Sequence, residues 1–198
     1  MRGCIVVEGC DPYVMGGVSS WIQSLITSMP DVEFVVQTII STRKESGKFL
    51  FRLPDNVSCV HEIYLQDFDW VGRKNVPTLR LKRDAKRALG DYIAGREADI
   101  PALLRLFDTP NLSLNALLMG SDFLDVVKSL YREKYQNLQF ADFLWTMRSM
   151  YLPLCYALRA PSPPADFYHC VATGYAGMFG LAGKIRNGGR LLISEHGI

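Results

Sequence analysis

Several things are missing from this chain, and each absence narrows what it can do. It has no stretch of about eighteen uninterrupted apolar residues, so no membrane-spanning helix is expected. The longest candidate, 140–160, carries Asp142, Arg148, Pro153 and Arg159. No C-x-x-C pair occurs among Cys4, Cys10, Cys59, Cys155 and Cys170. Their scatter and odd number argue against a disulfide frame or structural zinc, and for a reducing, cytoplasmic setting. Arg2 precedes only a strand-length apolar run, so no secretory leader is expected. The formal net charge of +2 is too small to argue for a nucleic-acid partner. The basic stretch Arg73-Lys74…Arg80…Lys82-Arg83…Lys86-Arg87 lacks interleaved aromatics and reads as a solvated helix face. Internal repeats and low-complexity tracts are absent too.

What is present is an ordinary apolar fraction over 198 residues, enough for a full core. Cys4–Val7 is continuously apolar, as in a parallel strand covered on both faces. Val18, Trp21, Ile22, Leu25 and Ile26 recur at helical spacing, and Pro30 closes that helix. Glu33–Ile40 and Val57–Leu65 read as strands, and Phe49–Leu53 as a candidate short one. From about 67 to 160 the apolar residues fall at helical periods, punctuated by Pro101, Pro110 and Gly120. That is a helical insertion. Pro161-Ser-Pro-Pro164 leads back to strand Phe167–Val171, a helix from Tyr175 to about Ile185, a turn at Asn187-Gly188-Gly189 and strand Leu191–Ser194. Alternating strands and helices imply an α/β, doubly wound parallel sheet with ligands at the strands' carboxyl ends.

Three unusual stretches fall at such ends: Glu8–Gly17, His169–Gly177 and Glu195–Gly197. Gly16-Gly17 fits neither G-x-G-x-x-G nor the P-loop, which disfavours a dinucleotide-dependent oxidoreductase and P-loop phosphate transfer. A double glycine opening a helix still suits a diphosphate or sugar held by backbone N–H groups, or a mere tight turn. His196 before Gly197 can bond a sugar hydroxyl or move a proton, or can simply cap or pack. His169, within a short strand, is ambiguous between site and structure, and His61 reads as structural or solvent-facing. Glu8 can bind a sugar hydroxyl or pair with a positive charge. Thr173, Gly174 and Tyr175 open a helix with free N–H donors, unless Thr173 is only its cap.

Taken together, Glu8-Gly-x-x-Pro12-Tyr13-Val-x-Gly16-Gly17-Val-Ser-Ser20-Trp21 resembles the opening motif of the Pel-exopolysaccharide type of glycosyltransferase. Tyr168-His169-x-x-x-Thr173-Gly174-Tyr175-Ala-Gly177 and Ser194-Glu195-His196-Gly197 resemble that family's later N-terminal signature. The resemblance covers both ends of the chain; the helical middle matches only in character. It implies the N-terminal, Rossmann-like half of a retaining glycosyltransferase of family 4 with two facing domains (GT-B). The implied substrates are a nucleotide-sugar donor of the UDP-sugar class and a growing exopolysaccharide acceptor, without a metal and with no nucleic acid. Gly16, Gly17 and Glu8 would face the donor, His196 the transferred sugar, and His169, Thr173, Gly174 and Tyr175 the acceptor side. In that family the nucleotide is held mainly by a C-terminal domain that these residues do not contain. The isolated chain is therefore expected to be inactive, with that domain and membrane-bound polysaccharide-synthesis machinery as candidate partners. A non-catalytic binding or scaffold module is the competing reading.

Overall fold

A computed structural model describes residues 1–9, 12–40, 43, 46–65, 79–110 and 112–196. The chain divides into two compact units, Met1–Asp67 with Ala160–Ile198, and Phe68–Arg159.

The first unit is built on strands β1 (Arg2–Glu8), β2 (Glu33–Ile40) and β3 (Val57–Tyr64), with helix α1 (Gly17–Thr27) between the first two. The second unit supplies α2 (Arg83–Ile93), α3 (Ile100–Phe107), α4 (Leu114–Met119), α5 (Ser121–Lys134) and α6 (Phe140–Arg159). The chain then returns through β4 (Phe167–Cys170), α7 (Tyr175–Asn187) and β5 (Arg190–Ile193). All five strands are parallel in the order β3-β2-β1-β4-β5. The expected α/β, Rossmann-like doubly wound parallel sheet is what the chain forms.

Alternation along β1 explains the layers. Ile5 and Val7 face α1, packing with Ile22, Ile26, Phe34, Val36 and Val171. On β4 and β5, Tyr168, Cys170 and Leu191 face α7. There the helix approaches so closely that a Cβ on Gly180 or Gly183 would overlap Cys170 or the Tyr168 ring. The Tyr168 ring is pinned: its hydroxyl donates to Pro163 O (2.7 Å) and accepts from Asn187 Nδ2 (2.6 Å). Arg186 adds a bond from its guanidinium to Ala160 O (3.0 Å), so the proline-rich return is tied to the end of α7.

The candidate strand Phe49–Leu53 is not one. Leu50 N donates to Pro12 O (2.8 Å) instead of joining a ladder, and Phe49 sets its ring edge against Tyr13. Both side chains are exposed, so a local loop contact takes the place of sheet pairing. The other expected strands and the helices α1 and α7 form with ends shifted by a residue or two, α1 stopping at Thr27, before Pro30. The expected helical insertion is seen from Arg83 to Arg159, and residues 66–78 at its start lie outside the described residues.

Within the second unit, Asp99 and Ser113 cap α3 and α4 by accepting from Ala102 N and Ala116 N. Pro101 stands in the first turn of α3, where its missing N–H costs nothing. Nearly buried Asp122 accepts from Leu81 N and from Lys86 Nζ, both at 2.8 Å, and Lys86 also reaches Asp125. The Leu81 N–H, followed by Lys86, lowers the Asp122 pKa. Lys86 is therefore held by carboxylates, whereas Arg87 remains on the solvated face that the basic stretch predicts. Arg73 and Lys74 lie outside the described residues.

Candidate functional site

β1 lies between β2 and β4; α1 leads from β1 to β2 on one side, while α7 leads from β4 to β5 on the other. The helices that follow β1 and β4 therefore diverge at the strands' carboxyl ends, the switch point at which open α/β sheets bind ligands. Two helix N-termini border it, and the chain treats them differently.

At α1, Gly16 is the N-cap in an extended conformation (φ −172°, ψ 177°); among the described residues no side chain caps the helix, and its first turn carries no acid. A Cβ on Gly16 or Gly17 would meet nothing within 4 Å. Neither a left-handed backbone nor internal packing explains the double glycine. Its effect is to leave the first N–H groups of α1 open to approach.

At α7, the Glu8 carboxylate accepts from Ala176 N (3.3 Å), and a Cβ on Gly174 would stand only 3.0 Å from Glu8 Oε2. Glu8 thus sits against the positive end of α7, which is neither of the two partners considered from the sequence. The helix is also less open than its sequence implies, since one donor is taken internally. Burial, then the charge of Glu8, raises the Tyr175 pKa. Thr173 is not the helix cap: Gly174 holds that position, and Thr173 Oγ1 donates to Glu195 Oε2 (2.8 Å).

The histidines meet around one indole. Trp21, one turn into α1, packs edge-on against His169 (ring centroids 5.7 Å, 88°) and His196 (4.7 Å, 61°). His169 Nε2 lies 2.8 Å from Ser194 Oγ. Burial, then the neighbouring His196, lowers the His169 pKa, so this imidazole is neutral at pH 7. Nε2 accepts the Ser194 hydroxyl when the ring proton sits on Nδ1, and donates to it in the other tautomer. His196 is exposed at the rim. His61 is exposed on β3, within 3.4 Å of Cys59 Sγ and on a different strand from the cluster.

All the predicted site residues thus reach the carboxyl end of one sheet, but in two groups. Glu8, Gly174 and Tyr175 surround the start of α7; His169 and His196 surround Trp21 on α1, four residues beyond Gly17. Thr173, through Glu195, belongs to the segment that carries His196. Sequence reasoning quoted Trp21, Ser194 and Glu195 within motifs but gave none of them a role of its own. Their signal was faint, because 25 residues separate Ser194 from His169 and only the β4–β5 pairing makes them neighbours.

Burial raises the Cys4 pKa and pushes the Cys155 and Cys170 thiols up to about 12, which makes these three poor nucleophiles. Cys10 and Gly197 lie outside the described residues. Among the described residues no helix is long and apolar enough to cross a membrane. Comparison with curated proteins and with solved structures gives no match. One family model does match, over residues 1–198, and on that ground the chain belongs to the family described as Domain of unknown function (DUF3492).

Proposed function

We propose that this chain is the N-terminal, acceptor-side domain of a retaining glycosyltransferase that passes a sugar from a nucleotide-sugar, of the UDP-sugar class, to a growing exopolysaccharide. The observation that carries the reading is the uncapped start of α1, where two glycines are required by neither backbone strain nor packing. Free N–H groups at the positive end of a helix suit a diphosphate. The other helix bordering the switch point already holds an internal carboxylate, so an anion is directed to α1. His196, exposed beside Trp21, is the polar group offered to a sugar ring there. His169, Thr173, Gly174 and Tyr175 form the acceptor-side wall, with Glu8 supporting it from behind. Charge stabilisation of the departing diphosphate belongs to a C-terminal domain, so in this reading the enzyme works in the cytoplasm only when that domain is present.

The test is calorimetry of UDP-glucose with the chain and with Gly17→Ala. The expected dissociation constant is millimolar, about 4 kcal/mol of binding, with no turnover. Gly17→Ala keeps or raises the melting temperature, because alanine is the better helix former by up to about 1 kcal/mol. It loses the binding, because the added methyl stands over the N–H groups. Equal affinity in the two proteins, or no heat at millimolar UDP-glucose, overturns the assignment; micromolar binding overturns the need for a second domain.

A second reading, a binding module without chemistry of its own, draws on a groove of about 610 Å³ on the α1 face. It is lined by Leu25, Met29, Phe34, Phe167 and Leu192 among others. An apolar groove of this size takes ligands without any catalytic group. Retained binding in Gly17→Ala favours this second reading.

A further inference from the structure

Three consecutive residues follow β5 without regular structure, and each is held by a different part of the sheet's rim. Ser194 is bound twice to β4: its N–H donates to Cys170 O (2.8 Å), and its hydroxyl lies 2.8 Å from His169 Nε2. Glu195 accepts from Thr173 Oγ1, in the turn between β4 and α7, at 2.8 Å. His196 rests its ring on Trp21 of α1 at 4.7 Å. A segment fixed only by its peptide link to β5 would leave an exposed imidazole free to sample many rotamers. Anchors on β4, on the β4–α7 turn and on α1 remove that freedom and span the switch point from both sides.

Trp21 makes this arrangement possible. Its indole is half-buried, packed on the cluster of Ile5, Val7, Ile22 and Ile26, and so cannot drift. One edge meets His169, the partner of Ser194, and another meets His196. An aromatic pair of this kind adds a directional preference that an aliphatic side chain of similar bulk does not supply.

We infer that Trp21 is the positioning residue for His196, and that Ser194, Glu195 and His196 form one strap whose other anchors are His169 and Thr173. The strap's function as a sugar contact rests on the glycosyltransferase reading; the strap itself does not. In that reading Trp21 does not touch the transferred sugar. It holds the residue that does.

The chain contains three histidines, so its imidazole NMR signals are few and can be assigned by single His→Gln variants. Trp21→Leu is expected to abolish the ring-current displacement of the His196 and His169 signals and leave His61, on β3, where it is. Trp21→Phe should retain most of the displacement, a rescue that loss of apolar burial alone does not explain. Ser194→Ala and Thr173→Val, each removing one anchor, should also move the His196 signal. Unchanged His196 signals in folded Trp21→Leu overturn the inference. Where Trp21→Leu does not fold, unchanged signals in both Ser194→Ala and Thr173→Val overturn it equally. Millimolar UDP-glucose separates the two layers of the argument. If it leaves His196 unmoved in the native chain, the sugar-contact reading fails, while the variants still decide the strap.

Discussion

Thr38 is fully buried within β2, and its hydroxyl has no hydrogen-bond partner among the described residues. A buried hydroxyl without a partner forfeits its hydration and gains nothing in return. Thr38→Val keeps the β-branched shape and removes the orphan, so it should stabilise the chain by about 1 kcal/mol, read as a higher denaturation midpoint. His169 makes the opposite kind of demand. Its pKa in the folded chain lies below the ordinary value of 6.5, chiefly through burial and then through His196. The unfolded chain therefore binds that proton more tightly, and stability falls as pH drops from 6.5 through the folded-state value. The melting temperature of the native chain should decline more steeply between pH 7.5 and about 5 than that of His169→Gln, which can still bond Ser194. Parallel curves for the two proteins would show that His169 is not buried as described. Glu8 illustrates how far residue chemistry reaches unaided. A carboxylate at a strand end was recognisable as a group with work to do, but its partner, a backbone N–H 168 positions away, depends on which strand lies beside β1.

Helix α7 shows what an element needs beyond periodicity. Its glycines at 177, 180 and 183 lower helix propensity, yet it is 13 residues long and ends in a left-handed Gly188 (φ 79°). The small positions lie against β4, where Tyr168 cannot retreat because its hydroxyl is held at both Pro163 and Asn187. Gly183→Ala would gain propensity and lose packing. The packing term wins, because the methyl would have to overlap a fixed ring. The expected cost is about 1–3 kcal/mol in urea unfolding, opposite in sign to the effect of Gly17→Ala on α1. Two glycine-to-alanine changes at helix positions thus separate a glycine kept for internal contact from one that no internal contact explains. The segment around Phe49 and Leu50 makes the complementary point. Its apolar residues suit a strand, but a hydrogen bond to the β1–α1 loop and a ring contact with Tyr13 satisfy it locally.

At the scale of the whole molecule, the sequence by itself determined the class of the sheet. The continuous apolar run at β1 reads as a parallel strand covered on both faces, and helical periodicity marked α1, α7 and the middle of the chain. It also located the three stretches that end up at the strands' carboxyl ends, because glycine, histidine and glutamate after an apolar run break the pattern that a core requires. Only the tertiary structure decided strand order, and with it the switch point between β1 and β4. It directed Glu8 to α7 and left α1 uncapped, and it set Trp21 between two histidines. It also turned Ser194 and Thr173 from motif letters into anchors of the segment carrying His196. The physical reason is the range of the interactions. Burial pattern and helix spacing act over a few residues and are written locally. A hydrogen bond from Ala176 to Glu8, or an indole shared by residues 169 and 196, exists only after strands far apart in the chain have paired.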